Sequence, residues 1–251
     1  MSLSAPERLI AFNPRPRIEL VNLFPGQGYA VIDDALLEPE RLVEFAAARS
    51  DAFQSVDYNA YPGILLPTPG AISTALNDFF CEHVRRYFDA RRVQHMHSRL
   101  ALVTLPPEML RPWQCVPHTD RFSHLTEEQS IQASVLYLFD DPGLGGTSFY
   151  QPSLPPRDIE KLFEDANRLP AAEFVQRHGI AQGYTCDSNR GFRRLGGVAA
   201  KWNRLIFYDG AILHSGDIRA PERLSADPRK GRLTLNGFFT SRRRARGEQP
   251  Q

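Results

Sequence analysis

Two rhythms of apolar and polar residues divide this chain, one alternating singly and the other spaced as on a helix. Within residues 15–33, RIELVNLF and GYAVID read as two short strands with PGQG as the turn between them. From Pro39, PERLVEFAAAR places apolar residues at helical spacing behind an opening proline. A second helix is predicted from about Ile72 to Asp89, with Leu76, Phe79, Phe80, His83, Val84 and Tyr87 as its apolar stripe. On that stripe His83 reads as a partly buried face residue, not a ligand. From about Val93 the strand rhythm takes over. LALVTL stops at Pro106-Pro107. ASVLYLF sets Ala133, Val135, Tyr137 and Phe139 on one side and Ser134, Leu136 and Leu138 on the other. GTSFY, NRLIFYDG, AILHS and RLTLNGFF follow, and short strands parted by Gly and Pro turns imply a barrel or a sandwich. The interval from about 152 to 200 breaks the rhythm. PRDIEKLFEDA and AAEFVQRHG, the latter ended by Gly179, read as helices of an insertion, each too short to bury a core alone.

A length of 251 residues suits one large domain or two small ones. We expect a single domain over 1–251: N-terminal strands and supporting helices at 15–92, the strand-rich core at 93–240, and a basic tail at 241–251. At 42% hydrophobic and 24% charged, the chain can build a sizeable core. A net charge of +1 argues against a nucleic-acid groove, and the cluster from Arg242 to Arg246 reads as a solvated tail. No apolar run reaches the length of a membrane span, and MSLSAPERLIAF lacks the apolar stretch of a secretory signal. Cys81, Cys115 and Cys186 are odd in number and far apart, which fits neither a disulfide framework nor a zinc motif. A reducing cytoplasm is the expected compartment.

The candidate chemistry starts at VPHTDRF. His118 and Asp120 are the chain's one His-x-Asp pair. On an extended segment residues two apart face the same way, about 6.6 Å apart at the backbone. A second histidine would complete a set of two imidazoles and one carboxylate, which leaves open positions on an octahedral ion and suits non-haem Fe(II). His214, at the end of the apolar run in LIFYDGAILHSGDI, is the candidate, although taken alone a histidine there reads more readily as a core residue with its polar edge satisfied. Arg232 opens the strand RLTL with Thr234 two residues on, and a guanidinium beside a hydroxyl makes a carboxylate seat. His95 and His97 have no carboxylate near them in sequence and read as a half-exposed strand face. His124 lies near the motif with nothing to fix its direction. Trp113, Phe122 and Tyr150 lie near the motifs and could line a pocket, though aromatics beside strands more often belong to a core.

In order along the chain, His118-Thr119-Asp120, VLYLFDDPGLGGTSFY, NRLIFYDGAILHSGDI and RLTL resemble the Fe(II)- and 2-oxoglutarate-dependent dioxygenases, and their prolyl-hydroxylase-like branch in particular. Tyr137-Leu138, Asp140-Asp141, Gly145-Gly146 and Phe149 match that branch, and the resemblance covers about residues 93–240. It implies a double-stranded β-helix, the jelly roll of cupin-like proteins, mainly β with flanking helices. It implies His118, Asp120 and His214 as iron ligands, and Arg232, Thr234 and Tyr137 as contacts of the distal carboxylate of 2-oxoglutarate. It admits ascorbate as an auxiliary. Because Asp120 fills the carboxylate position, it favours hydroxylation over halogenation, on a protein side chain or a small metabolite. Two features depart from the pattern. Arg232 follows His214 by eighteen residues where the family usually has about ten, so Arg223 is a rival on count. The insertion at about 152–200 is long. A non-catalytic metal-binding jelly roll and a cupin-type metalloenzyme without 2-oxoglutarate are the competing readings.

Overall fold

The computed structural model describes residues 9–24, 26–56, 61–121 and 125–244. Its N-terminal strands are β1 (Ile18–Phe24), β2 (Gln27–Ile32), β3 (Gln54–Ser55) and β4 (Gly63–Pro67). Then come β5 (Arg92–Val103), β6 (Gln129–Tyr137), β7 (Thr147–Pro152) and β8 (Phe192–Val198), followed by β9 (Leu205–Asp209), β10 (Leu213–Gly216) and β11 (Arg232–Arg242). The helices are α1 (Glu40–Ala47), α2 (Gly70–Phe79), α3 (Pro156–Arg168) and α4 (Ala171–His178). Eight strands form one sheet in the order β1-β2-β9-β6-β11-β5-β4-β3, and three form another in the order β10-β7-β8. The pairings are antiparallel, and the two sheets make a jelly roll.

The central strand β11 shows how alternation builds the layers. Leu233, Leu235 and Phe239 join Leu100, Leu102 and Leu136 in a core with Ile72, Leu76, Phe79 and Phe80 of the α2 segment. Phe80 stacks near Phe207 and Phe239, with ring centroids 5.5 and 4.4 Å away. The alternate residues Arg232, Thr234, Asn236 and Phe238 point the other way, as side chains two apart must. There Phe238 packs with Tyr29, Tyr137, Phe149 and Tyr208 between the two sheets. One face of the large sheet is thus sealed by helices, and the other is free to carry a site.

Several expectations are corrected. The helix expected to run to Asp89 leaves α-geometry after Phe79, passing through a π-turn (Phe80–Val84) and a 3-10 turn (Arg85–Tyr87). The wider turn shifts the phase of the stripe, so Val84 stays buried while Tyr87 emerges at 40% exposure. His83 stays on the face, its ring 5.0 Å from that of Phe79. The interval 152–200 is not wholly an insertion, because β8 pairs with β7 inside the smaller sheet. FRRLGGV hides this strand behind two arginines and two glycines that show no alternation. The basic run does not begin as a tail either. β11 continues to Arg242, and Arg243 pairs with Asp89 at 2.7 Å and donates to the Gln129 carbonyl at 2.9 Å. The three cysteines are free thiols.

Candidate metal centre

His118 and His214 lie on different segments, joined by an antiparallel bridge. The His118 amide donates to the His214 carbonyl at 3.0 Å, and the His214 amide returns a bond of 2.9 Å. Two residues on, the Asp120 amide donates to Gly210 at 2.8 Å. The VPHTD segment is therefore held extended against the turn between β9 and β10, and this places His118 and Asp120 on one side. One ligand atom from each of His118, Asp120 and His214 lies within 4.8 Å of the others. Nε2 of His214 is 3.3 Å from Asp120 Oδ2, and the two imidazole centroids are 4.4 Å apart.

The donor set fits a divalent cation. His214 Nδ1 lies 2.9 Å from the Ile212 carbonyl, which can only accept. The proton therefore sits on Nδ1, and the Nε2 lone pair faces the other two ligands. Burial pushes the pKa of both rings down to about 4, and for His118 the neighbouring His214 adds to this. Both imidazoles are neutral at pH 7, as metal ligands must be. Burial raises the Asp120 pKa, against the opposing pull of His118 and Arg99. A largely buried carboxylate between two neutral imidazoles is an anion that needs a cation.

These ligands open onto a cavity of about 850 Å³ between the sheets, whose wall includes Tyr61, Arg99, Tyr184, Tyr208, Arg232 and Phe238. Arg232 is 5% exposed. Its Nε donates to the carbonyls of Leu144 and Gly145 at 2.9 and 3.2 Å, and its Nη2 to Gly146 at 2.8 Å. Nη1 makes no hydrogen bond among the described residues. The Gly145-Gly146 pair makes this cradle. A Cβ at Gly145 would lie 1.6 Å from the Asp217 carbonyl oxygen, and one at Gly146 1.8 Å from that of Val198. A Cβ at Gly216, two residues past His214, would lie 3.8 Å from Arg232 Nη2, which sets the guanidinium beside the β10 strand.

The rival Arg223 is 54% exposed and pairs with Asp141 outside this cavity. Thr234 and Tyr137 stand behind the wall rather than on it. Thr234 hydrogen-bonds Tyr61, which does line the cavity. The Tyr137 hydroxyl is 2.8 Å from that of Thr147, another wall residue, and burial raises its pKa to about 12. Both are fully buried, Thr234 on the Arg232 face of β11 and Tyr137 opposite it on β6, with the Arg232 guanidinium 6.0 Å from the Tyr137 ring centroid. Trp113 and Tyr150 belong to a separate apolar cluster with α3 and α4. His95 is exposed, while His97 borders the cavity with its ring 5.0 Å from Phe238. Phe122 and His124 lie outside the described residues.

Sequence reasoning missed Tyr208. Its hydroxyl donates to Asp120 Oδ2 at 3.4 Å and lies 3.1 Å from His214 Nε2, so it braces two ligands at once. Burial, and next the Asp120 charge, raise its pKa well above the usual tyrosine value. The alternation of LIFYD, which sets Ile206 and Tyr208 on one face six residues before His214, was the available signal. The insertion was also under-read. Its Tyr184 reaches the cavity and donates to the Leu105 carbonyl at 2.6 Å, while Thr185 donates to Cys115 at 2.6 Å. These bonds tie the insertion to the loop that leads into His118.

Two facing antiparallel sheets with two histidines and a carboxylate between them define a jelly-roll protein with a candidate metal centre. Over residues 14–239 the chain matches the family described as DUF6445, a family of unknown function, and it belongs to that family. No curated protein matches it. Among solved structures it is similar to the non-heme alpha-ketoglutarate-dependent epimerase SnoN from nogalamycin biosynthesis, at 14% identity and TM-score 0.47, covering 88% of this chain and 83% of the other. It is similar to HygX from Streptomyces hygroscopicus, solved with nickel and 2-oxoglutarate, at 12% identity and TM-score 0.46, covering 88% and 84%. A Pseudomonas putida prolyl-4-hydroxylase shares 15% identity at TM-score 0.40, covering 87% and 89%. Among the described residues no helix is long and apolar enough to cross a membrane.

Proposed function

We propose that this chain is a non-haem iron dioxygenase that uses 2-oxoglutarate and hydroxylates a peptidyl or small-molecule substrate. The observation that carries this reading is the convergence of His118, Asp120 and His214 on one point of a cavity that Arg232 also enters. His118 and His214 offer neutral imidazoles, and Asp120 offers the charge that holds a divalent ion. Tyr208 keeps Asp120 turned toward the histidines. Arg232 is already oriented by three carbonyls, so its Nη1 edge can receive the distal carboxylate of 2-oxoglutarate with little further ordering. Iron(II) with 2-oxoglutarate and dioxygen would supply the oxidising chemistry, with succinate and carbon dioxide as co-products. The mainly apolar wall would exclude water from the substrate position.

The test is succinate formation from 2-oxoglutarate with Fe(II), with and without candidate substrates. We expect turnover in the wild type and its loss in His118→Ala. Arg232→Met should weaken 2-oxoglutarate by about tenfold or more, the loss expected for a charge-assisted bond. One observation favours a second reading. Arg232 already clamps the Leu144–Gly146 carbonyls through Nε and Nη2, a structural role that would also suit a metalloprotein that takes no 2-oxoglutarate. In that case Arg232→Met would lower stability and leave metal-dependent activity or metal uptake as it was.

A further inference from the structure

Besides Arg232 and the exposed Arg121, the cavity wall holds a third arginine that this chemistry does not use. Arg99 projects from β5, and its guanidinium sits 4.7 Å over the Phe238 ring. Its Nε is buried without a hydrogen-bond partner, and among the described residues no carboxylate lies within ion-pair distance of it. Directly opposite in the β5–β11 register is Asn236, which also lines the cavity and has a buried side-chain oxygen without a partner. A buried guanidinium edge and a buried amide, both unsatisfied and side by side, are costly unless something completes them. Arg232 is four residues from Asn236 along β11, or about 13 Å of strand. One small diacid reaching from the metal to Arg232 therefore leaves Arg99 free.

We propose that Arg99, stacked on Phe238 and flanked by Asn236, is the seat for a carboxylate of the primary substrate, so that this protein acts on carboxylate-bearing molecules. The proposal rests on the oxygenase reading for the word substrate, but the seat itself does not. A carboxylate fits better than a phosphate. One guanidinium matches one charge, its planar edge matches two carboxylate oxygens, and the amide can complete the plane. A phosphate dianion would call for a second buried cation, and of the other two arginines on the wall Arg121 is exposed while Arg232 is distant and held by the Leu144–Gly146 carbonyls. Substrate held there would lie in the same cavity as the metal ligands, along the inner face of the large sheet.

The experiment uses the full chain loaded with Ni(II) and 2-oxoglutarate and measures binding by calorimetry. The probes are matched acids and primary amides: benzoate and benzamide, hexanoate and hexanamide, N-acetylphenylalanine and its amide. Each pair holds size and apolar surface constant. We expect an acid to bind the wild type about tenfold tighter than its amide, as a charge-assisted bond implies. Arg99→Met should abolish that preference and Arg99→Lys should keep part of it, with 2-oxoglutarate affinity within about twofold of wild type in both. Retained 2-oxoglutarate binding also shows that the variants are folded. Equal binding of acid and amide, no binding of any probe, or a preference that survives in Arg99→Met overturns the proposal. Loss of 2-oxoglutarate in both variants overturns it too, since Arg99 would then be the cosubstrate's seat. If the wild type itself binds no 2-oxoglutarate, the oxygenase reading fails. The same acid–amide comparison with Ni(II) alone then decides the Arg99 seat separately.

Discussion

Arg232 and Arg99 enter one cavity from adjacent strands but are held in opposite ways, one by three carbonyls and the other by the face of a ring. A guanidinium offers five donors in a fixed plane, so its chemistry depends on which edges the fold has already used. Single charged side chains matter outside the cavity too. Arg204 grips Asp33 through Nε at 2.6 Å and Nη2 at 3.0 Å, and Lys201 adds a contact at 2.9 Å. The Arg204 bond is the main cause that lowers the Asp33 pKa to about 2. The unfolded carboxylate binds its proton first as pH falls, so this contribution is complete above about pH 4 and is lost as pH drops toward 2. Asp33 is partly exposed, which reduces the contribution to about 1 kcal/mol. Acid titration of urea stability should show Asp33→Asn less stable than wild type by that amount at pH 6, with the two converging near pH 2. A gap that persists at pH 2 would mean that the pair acts through packing and not through charge.

At the scale of elements, connections decide as much as strands do. Asn203, between β8 and β9, has a left-handed backbone with φ of 59°. Its side chain accepts from the Leu36 amide and donates to the Leu36 carbonyl, both at 2.9 Å, and its own carbonyl receives the Ala35 amide at 3.0 Å. One residue thus pins the segment after β2 to the turn before β9. Asn203→Ala removes two buried hydrogen bonds and leaves a Cβ residue in left-handed geometry without the local bonding that favours asparagine there, so we expect a loss of about 2–4 kcal/mol in chemical denaturation. Asn203→Gly should recover about 1 kcal/mol of this by relieving the backbone. The same contrast explains what was legible in the sequence. β5, β6, β9 and β11 could be read because one face meets α2 and the other the cavity, which enforces alternation. β8 could not, because Arg193 is exposed, Arg194 is held by Ser148 and Asp217, and Gly197 answers to close packing on β7, where a Cβ would meet the Thr147 carbonyl oxygen at 2.9 Å. His118, Asp120, His214 and Arg232 were legible as residue types in a given order. Tyr208, Tyr61 and Arg99 were not, since only the strand register reveals which way they point.

For the molecule as a whole, the centre is a place where folding works against solvation. Two imidazoles and a carboxylate are buried together, and the Arg99 guanidinium acts on Asp120 only through space, without an ion pair. A bound divalent ion would relieve this, and any ligand that binds only the folded state stabilises it by RT ln(1 + [L]/Kd). At a hundredfold excess over Kd this is about 2.7 kcal/mol, or a rise in Tm of about 5–10 °C for a chain of this size. We therefore expect Ni(II) or Fe(II), added to metal-stripped protein at neutral pH, to raise Tm by that amount, and His214→Leu to abolish the rise. The metal-free His214→Leu protein should melt somewhat lower than metal-free wild type, because leucine removes the ring's bonds to the Ile212 carbonyl and the Tyr208 hydroxyl. The sign with pH is set by Asp120, whose pKa burial raises, so that the metal-free folded state takes up a proton there more readily than an exposed aspartate would. Acidification then makes the ion compete with that proton, so the rise in Tm should shrink as pH falls below neutrality. The two histidines, with pKa values of about 4, should contribute little until the pH nears those values. A thermal shift equally large in His214→Leu would place the ion elsewhere. A shift that follows a midpoint near 6.5 would mean that the imidazoles are solvated and the centre is more open than its burial implies.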